Sequence, residues 1–196
     1  MRRQELMSEP QQQTGTPPTA GQAKKHYESI TYGIGQSTLG TIVIATSNSG
    51  VVAVLIGDKP APVIEDLQAR FPKAHLLRDD QMHVSQISQL VDYIEFARKD
   101  VDFDLDLRGT EFQKTVWQAV RKLGIGETTT YTELARAIGS PKAIRAVANA
   151  CSINPFAFVV PCHRVLHKER ALSFAPHRGD DRQRPMVARE AKAMKR

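Results

Sequence analysis

The sequence is poor in cysteine: Cys151 and Cys162 are the only two thiols among 196 residues. Two thiols cannot supply a disulfide framework, so we expect a reducing, cytoplasmic environment. No apolar run approaches the ~20 residues that a membrane-spanning helix needs. The arginines at the start of the chain are not followed by an apolar segment. We therefore expect neither a secretory signal peptide nor an association with membranes.

Acidic residues are scarce in the second half of the chain. Residues 111–196 hold 16 Lys and Arg against 7 Asp and Glu, whereas residues 1–110 hold 11 against 14. A basic C-terminal half joined to a mildly acidic N-terminal half favours contact with a polyanion. Charge alone leaves open the alternative of a basic, solvated surface. The length allows one medium domain or two small ones.

Large apolar residues are nearly absent from residues 1–27, so we predict a flexible leader there. An α/β scaffold is predicted for residues 28–107. Two β-rich runs on either side of an Asn-Ser-Gly turn, residues 41–45 and 51–56, indicate a hairpin.

Helices and one further strand complete the predicted scaffold. The first helix is expected over residues 60–70. A second helix follows, and its apolar face is predicted to consist of Val84, Ile87, Val91 and Ile94. The alternation of apolar and acidic residues at 103–107 is typical of a half-exposed strand.

Residues 106–109 form the predicted boundary, and a second domain is predicted for residues 110–196. Thr110 and Gln113 have the spacing of a helix capping box. The helix that they begin carries one apolar stripe, which consists of Phe112, Val116, Trp117 and Val120.

Two short helices joined by a turn are predicted next. Thr132 is expected to cap the first, and the second to begin with Ser140 as its N-cap and Pro141 at its first position. Two short helices across a glycine-containing turn are a helix-turn-helix pattern. The second helix carries Lys142 and Arg145 among several alanines. A slim helix of this kind can approach a groove closely, although tight packing is an equally good reason for its composition.

A thiol lies beside an imidazole in residues 160–165, which read Val-Pro-Cys-His-Arg-Val. A free cysteine has a pKa near ~8.5 and is only a few per cent thiolate at neutral pH. Nucleophilic chemistry therefore needs a neighbouring base and a fixed backbone, which the histidine and the proline can supply. A buried structural cysteine is the alternative that this pair leaves open.

Four motifs carry a resemblance to a known family: residues 126–131 (Gly-Glu-Thr-Thr-Thr-Tyr), 141–147 (Pro-Lys-Ala-Ile-Arg-Ala-Val), 154–155 (Asn-Pro) and 160–165. With these motifs and their intervals, the second half resembles the catalytic domain of the O6-alkylguanine-DNA alkyltransferases, which repair DNA by direct reversal. The first half resembles the α/β domain that precedes it. Within the family, the sequence is most similar to the C-terminal half of the bifunctional adaptive-response proteins. Where those proteins carry a metal-binding regulatory module, only the predicted leader is expected here.

The resemblance implies the fold class and four catalytic roles. The fold would be a ribonuclease H-like α/β subdomain followed by a mostly α, winged helix-turn-helix-like catalytic domain. Cys162 would be the nucleophile, and His163 would remove its proton through a bound water, because adjacent side chains rarely face each other. Glu190 would orient the histidine, as in a catalytic triad. Asn154 would brace the active-site turn and the thiol.

Four further residues would contact DNA. Tyr131 would crowd the phosphate beside the lesion and help turn the nucleotide out, and Arg145 would fill the gap that the extruded base leaves. Thr130 and Lys142 lie in the same motifs and are also predicted to bind DNA. Each residue taken singly has an ordinary structural explanation, but their joint occurrence at the family's spacing favours function.

The implied substrate is double-stranded DNA that contains O6-alkylguanine, and also O4-alkylthymine. An alkyl carbon on a base oxygen lies inside the duplex, so the nucleotide must be extruded before a thiolate can reach it. Transfer to sulfur yields a thioether, which has no carbonyl for water to attack. The protein would therefore act once, as a monomer, without a cofactor or a metal ion.

The segment after Cys162 departs from the family pattern. Residues 167–179 lack the glycines of the family's first turn, and the loop is expected to be roughly one residue longer. In relatives this loop forms a wall of the alkyl-base pocket, so the resemblance implies that loss of the glycines would reduce backbone freedom there. A lesion-binding protein that transfers poorly because of this loop is therefore an alternative. A helix-turn-helix regulator of undamaged DNA is another. The last is a zinc site, without the usual finger spacing, built from Cys151, Cys162, His163 and His167.

Overall fold

The first half of the chain forms a four-stranded sheet with a helix on each face. The computed structural model describes residues 27–166 and 182–195. The strands are β1 (Glu28–Ser37), β2 (Gly40–Ser47), β3 (Gly50–Gly57) and β4 (Ala74–Arg78). They lie in the order β3-β2-β1-β4; β2 pairs antiparallel with both neighbours, and β4 pairs parallel with β1. Strands β2 and β3 confirm the predicted hairpin, while β1 and β4 have no counterpart in the prediction.

Two helices cover the sheet. Helix α1, Pro60–Arg70, has the predicted bounds and packs its Val63 and Leu67 against one face. Helix α2, Asp80–Phe96, covers the other face and begins at the N-cap Asp79, whose side chain accepts from the Met82 N–H at 3.0 Å.

The predicted apolar face of α2 is confirmed for three of its four residues, because Ile94 is buried and Ile87 and Val91 are partly buried against the core. It is wrong for Val84, which is 60% exposed, and it left out the buried His83, Leu90 and Tyr93. Close contact with β1 determines how the helix is oriented, because Gly33 and Gly35 lie directly beneath it. A Cβ atom on either glycine would collide with the side chain of His83 or Ile87.

The predicted strand at residues 103–107 is also wrong. Only Leu105 forms a β-bridge, with Val51 at the outer edge of β3. Two backbone hydrogen bonds hold the segment there: the Val51 N–H donates to the Asp104 carbonyl at 2.8 Å, and the Asp106 N–H donates to the Val51 carbonyl at 2.9 Å. The segment is extended, but its pairing is too short to form a strand.

The second half is mostly helical. Its described elements are α3 (Glu111–Arg121), β5 (Thr129–Thr130), α4 (Tyr131–Ala137), α5 (Ile144–Ser152), a 3-10 helix (Cys162–Arg164), β6 (Val165–Leu166) and α6 (Gln183–Ala193). The capping box of Thr110 and Gln113 is confirmed at the start of α3. Trp117 is buried, and its Nε1 donates to the Ala150 carbonyl at 2.9 Å, which joins α3 to α5.

The helix-turn-helix is present with different helix starts. Thr130, and not the predicted Thr132, is the N-cap of α4, because its hydroxyl and the Glu133 side chain form a reciprocal capping box. Helix α5 begins at Ile144 and not at Pro141. The preceding residues form a turn closed by a bond from the Ala143 N–H to the Ser140 carbonyl at 2.9 Å.

One apolar core runs through both halves. It includes Ile94 of α2 and Val54 of β3 from the first half, together with Trp117 and Met186 from the second. Residues 155–157 also pair with the outer edge of β3, through two hydrogen bonds of 2.8 Å with the Val54 backbone. The active-site segment that follows is thereby anchored to the sheet. In the described part of the chain, no helix is both long and apolar enough to cross a membrane.

Candidate active site

Cys162 lies at the start of the short 3-10 helix, after a turn held by backbone hydrogen bonds. Its N–H donates to the Val160 carbonyl at 2.7 Å, and the Arg164 N–H donates to the Pro161 carbonyl at 2.9 Å. Phe158, at the entry to the turn, has a φ of 67°, in the left-handed region that residues other than glycine seldom occupy. These constraints fix the position of the thiol.

Asn154 ties this turn to the thiol. Its Nδ2 donates to the Val160 carbonyl at 2.9 Å and lies 3.4 Å from the Cys162 sulfur. Its Oδ1 accepts from the Phe156 N–H at 2.9 Å. One amide thus holds the backbone on both sides and offers the sulfur a hydrogen bond that favours the thiolate. The structure thus brings Asn154 into contact with both the active-site turn and the thiol, and its bracing role stays a prediction.

The Cys162 thiol is protonated in the resting site. A hydrogen bond with the Cys151 thiol and burial raise the pKa of Cys162, and the Asn154 amide opposes them only in part. Cys151 lies near the end of α5 and is 5% exposed. The only role predicted for Cys151 from the sequence was in the alternative zinc site. Because the thiol is held protonated, Cys162 can act as a nucleophile only when a base takes its proton.

His163 and Glu190 form a buried pair beside the thiol. The His163 Nε2 lies 2.8 Å from the Glu190 Oε1, and both side chains are buried. Burial lowers the pKa of His163, so the imidazole is neutral at rest. Burial would raise the pKa of Glu190, but hydrogen bonds from His163 and Arg164 outweigh it and lower that pKa. With its proton on Nε2, facing the carboxylate, the imidazole keeps Nδ1 free to accept another.

Glu190 is the centre of a wider hydrogen-bond network. It accepts from the Arg164 Nε at 3.1 Å and Nη2 at 2.8 Å, from the Tyr93 hydroxyl, and from the Gly126 N–H at 3.1 Å. Arg164, which is 1% exposed, also donates to Asp100 at 2.6 Å. Tyr93, Arg164 and Asp100 were not predicted as site residues from the sequence. Arg164 carries the one local signal, a charge next to His163 in an otherwise apolar segment.

A cavity of about 190 Å³ lies next to the thiol, between the two halves of the chain. Ile56 at the end of β3 lines it from the first half, and Phe158 and Gln183 line it from the second. The Gln183 Nε2 also donates to the His163 carbonyl at 3.1 Å, which joins α6 to the active-site turn. The predicted pocket wall at residues 167–179 lies outside the described residues, as does the predicted leader apart from residue 27.

The predicted DNA-contacting residues have different surroundings. Lys142 in the turn before α5 and Arg145 in its first turn are exposed. The Thr130 hydroxyl is engaged in the α4 capping box, where it lies 2.9 Å from the Glu133 Oε2. Tyr131 is only 3% exposed, and burial together with the nearby thiols raises its pKa. The structure thus places Tyr131 towards the thiols, and its contact with a phosphate stays a prediction.

No group of three or more potential metal ligands is found among residues 27–166 and 182–195. Cys151 and Cys162 are both free thiols. His167, the fourth residue of the alternative zinc site, lies outside these ranges.

Two family models match the chain in succession. The model described as "6-O-methylguanine DNA methyltransferase, ribonuclease-like domain" matches residues 30–108. The model described as "6-O-methylguanine DNA methyltransferase, DNA binding domain" matches residues 111–192. The two matches leave only residues 109 and 110 between them.

Curated relatives are similar over much of the chain. The bifunctional transcriptional activator/DNA repair enzyme Ada of Escherichia coli is 39% identical over 162 residues, which cover 83% of this chain and 46% of that protein. A methylated-DNA–protein-cysteine methyltransferase of Methanosarcina acetivorans is 37% identical over 137 residues, which cover 69% of this chain and 82% of that protein. The chain thus spans about half the length of some curated relatives and most of others.

Solved structures share the fold. The O6-methylguanine methyltransferase of Mycobacterium tuberculosis superposes with a TM-score of 0.69 at 30% identity, over 84% of this chain and 94% of that one. The M. tuberculosis OGT in complex with DNA gives the same TM-score at 31% identity, over 83% and 94% of the two chains. These similarities confirm the predicted order of a ribonuclease-like α/β subdomain and a mostly helical domain.

Proposed function

Because the chain belongs to the 6-O-methylguanine DNA methyltransferase family, we propose that it repairs alkylated DNA by transferring the alkyl group to its own Cys162. The substrate is O6-alkylguanine, and also O4-alkylthymine, in double-stranded DNA. The observation that carries the proposal is the position of the Cys162 thiol, which lies in a cavity, is held by Asn154 and has the buried His163–Glu190 pair beside it.

The resting protonation states of Cys162, His163 and Glu190 support a proton transfer that precedes alkyl transfer. The Cys162 thiol passes its proton through a bridging water to the Nδ1 of His163. The Glu190 carboxylate, 2.8 Å from Nε2, stabilises the imidazolium that forms. Because the thiol pKa is raised at rest, the thiolate is not a standing species and forms only when His163 takes the proton.

The proposed alkyl transfer needs no co-reactant, because the thiol, His163 and the guanine account for every bond and proton. The sulfur forms a bond to the alkyl carbon as the bond from that carbon to the guanine oxygen breaks, in line with it. The electron pair leaves with the guanine, which recovers the proton from the imidazolium. The product is a thioether at Cys162 and an unmodified guanine. A thioether is not hydrolysed, so each molecule acts once, and no cofactor takes part.

The helix-turn-helix of α4 and α5 is the proposed DNA-binding surface. Lys142 and Arg145 are exposed at the start of α5, where they can reach phosphates and the gap left by an extruded base. Thr130 and Tyr131 lie at the start of α4, and Tyr131 adjoins the thiols. If DNA binding moves the start of α4, Tyr131 would transmit that movement to the cavity. One chain carries all of these residues, and we expect a monomer in the cytoplasm.

The test is the mass of the peptide that contains Cys162. After incubation with excess duplex containing O6-methylguanine, that peptide is expected to gain the mass of one CH₂ group, with one methyl group per protein molecule. Cys162→Ser should gain none. Cys151→Ala is the matched control, because it removes the other thiol and should leave Cys162 methylated.

The alternatives give different results in the same experiment. Tight binding of the lesion duplex with an unmodified Cys162 peptide would support the lesion-binding protein and contradict the proposal. Sequence-specific binding of undamaged DNA without transfer would indicate a regulator. Light scattering during gel filtration should give the mass of a single chain for the free protein, and the mass of one chain plus one duplex for the complex.

A further inference from the structure

A tyrosine from the first half of the chain reaches the catalytic pair of the second half. The Tyr93 hydroxyl on α2 donates to the Glu190 Oε1 and lies 3.2 Å from the His163 Nε2. It also accepts from the Arg164 Nη2 at 3.1 Å. Tyr93 is 2% exposed, so protein groups and not bulk water satisfy its hydroxyl.

The ring of Tyr93 accounts for its packing, so a phenylalanine would pack equally well at this position. The ring packs edge-on against Phe158, with 6.4 Å between centroids, and the neighbouring buried positions of α2 are the apolar Leu90 and Ile94. A buried hydroxyl is costly unless it is hydrogen-bonded, so its place among three polar side chains is a specific arrangement.

We propose that Tyr93 is a positioning residue for alkyl transfer, which restrains Glu190 and thereby sets the orientation and basicity of His163. The inference rests on the proposed function. The Glu190 Oε1 is shared by the donors of Tyr93, Arg164 and His163. Each added donor disperses the carboxylate charge, so less of it is available to stabilise an imidazolium.

The proton affinity of His163 depends on burial and on the charged groups that face it, besides the Cys162 thiol whose proton it takes. Glu190 of α6 and Asp100 of the loop after α2 favour the imidazolium, whereas Arg164 and burial disfavour it. Tyr93 is neutral, because burial raises its pKa, and it acts on His163 through Glu190. Its hydroxyl is therefore the member of the group that can be removed without changing the net charge.

Tyr93→Phe tests the proposal, with Tyr32→Phe as the matched control. Tyr32 lies on β1 and packs with the core on the α1 side of the sheet, away from the site. Single-turnover methyl transfer is measured from roughly pH 5 to 9, together with the affinity for the lesion duplex. The rate constant for Tyr93→Phe is expected to fall roughly 10-fold at neutral pH, with DNA affinity unchanged. The acid limb of its pH–rate profile should move to higher pH, because the imidazolium becomes easier to form.

The reaction amplitude keeps the test independent of folding. It counts the molecules that are folded and competent, while the rate constant reports on those molecules alone. A Tyr93→Phe variant of lower amplitude but wild-type rate constant and pH profile would overturn the positioning role and leave a purely structural one. If the wild-type protein and Tyr32→Phe also fail to transfer, the proposed function fails instead.

Discussion

Neutralising Glu190 is the most direct test of the buried network. Glu190→Gln keeps the shape of the side chain but replaces the carboxylate with an amide. The carboxylate is only 1% exposed and accepts hydrogen bonds from five donor atoms. The Nε2 of the amide must then face a donor, and the Arg164 guanidinium loses its buried counter-charge. Removing one partner of a buried ion pair typically costs about 3–5 kcal/mol, because the other charge stays buried.

The remaining partners of Arg164 place the cost at the low end of that range. Its guanidinium keeps Asp100 at 2.6 Å, and it keeps the Leu123 carbonyl. We therefore expect a loss of about 3 kcal/mol in the free energy of unfolding. For a chain of this size, that loss corresponds to a Tm lower by roughly 6–12 °C. The rate constant of methyl transfer should fall roughly 100-fold, since His163 loses the carboxylate that stabilises its charged form.

Denaturant unfolding with Glu111→Gln as a control measures this cost. Glu111 pairs with Lys114 at 3.0 Å, but its side chain is 90% exposed, and such pairs contribute about 0–1 kcal/mol. A Glu190→Gln variant that loses no more stability than Glu111→Gln would refute the reasoning. In that case, the network would be a set of contacts without energetic weight.

Two further predictions concern pH and DNA. The folded-state pKa of His163 is lowered below 6.5 and that of Glu190 below 4.5, so the unfolded chain takes up protons first. Stability should therefore decrease as pH falls below about 6.5 and again below about 4.5, and His163→Gln should remove the first decrease in denaturant midpoints. Arg145→Ala should change stability by less than about 0.5 kcal/mol but weaken lesion-duplex binding and reduce its salt dependence. The exposed Arg70→Ala, on α1, should leave DNA binding unchanged.

Local signals in the sequence predicted the parts of the fold that depend on them. The hairpin of β2 and β3 has a strong turn signal, and α1 has a proline at its start and the predicted bounds. Strand β1 was missed because Gly33 and Gly35 weaken its β-propensity. Those glycines are explained only by the helix that packs on them, and the same contact buries His83 of α2, which its apolar periodicity does not predict.

The helix-turn-helix boundaries show a second limit. Thr130 and Thr132 are both acceptable N-caps, and only the reciprocal bond with Glu133, three residues after Thr130, distinguishes them. Pro141 suits the first turn of a helix, but a turn from Ser140 to Ala143 precedes α5. Such choices between neighbouring positions depend on tertiary contacts.

The predicted residues of the candidate site are those to which the family resemblance assigns a role. Cys162, His163, Asn154 and Glu190 came from the family resemblance, and the structure brings them together. Tyr93 lies 70 residues before His163 in the sequence and carries no motif. Only the packing of α2 against the second half reveals its position, so neither periodicity nor spacing could have identified it.

The way the outer edge of β3 is covered affects how this protein is inactivated by acid. That edge is not open, because the backbones of residues 104–106 and 155–157 bond to Val51 and Val54 along it. Both covers come from chain that follows the sheet in sequence. If acid detaches the second half by protonating its buried network, the Val54 backbone N–H and carbonyl lose the cover that residues 155–157 provide. Such an edge can pair with the same edge of another molecule, so aggregation should accompany acid inactivation.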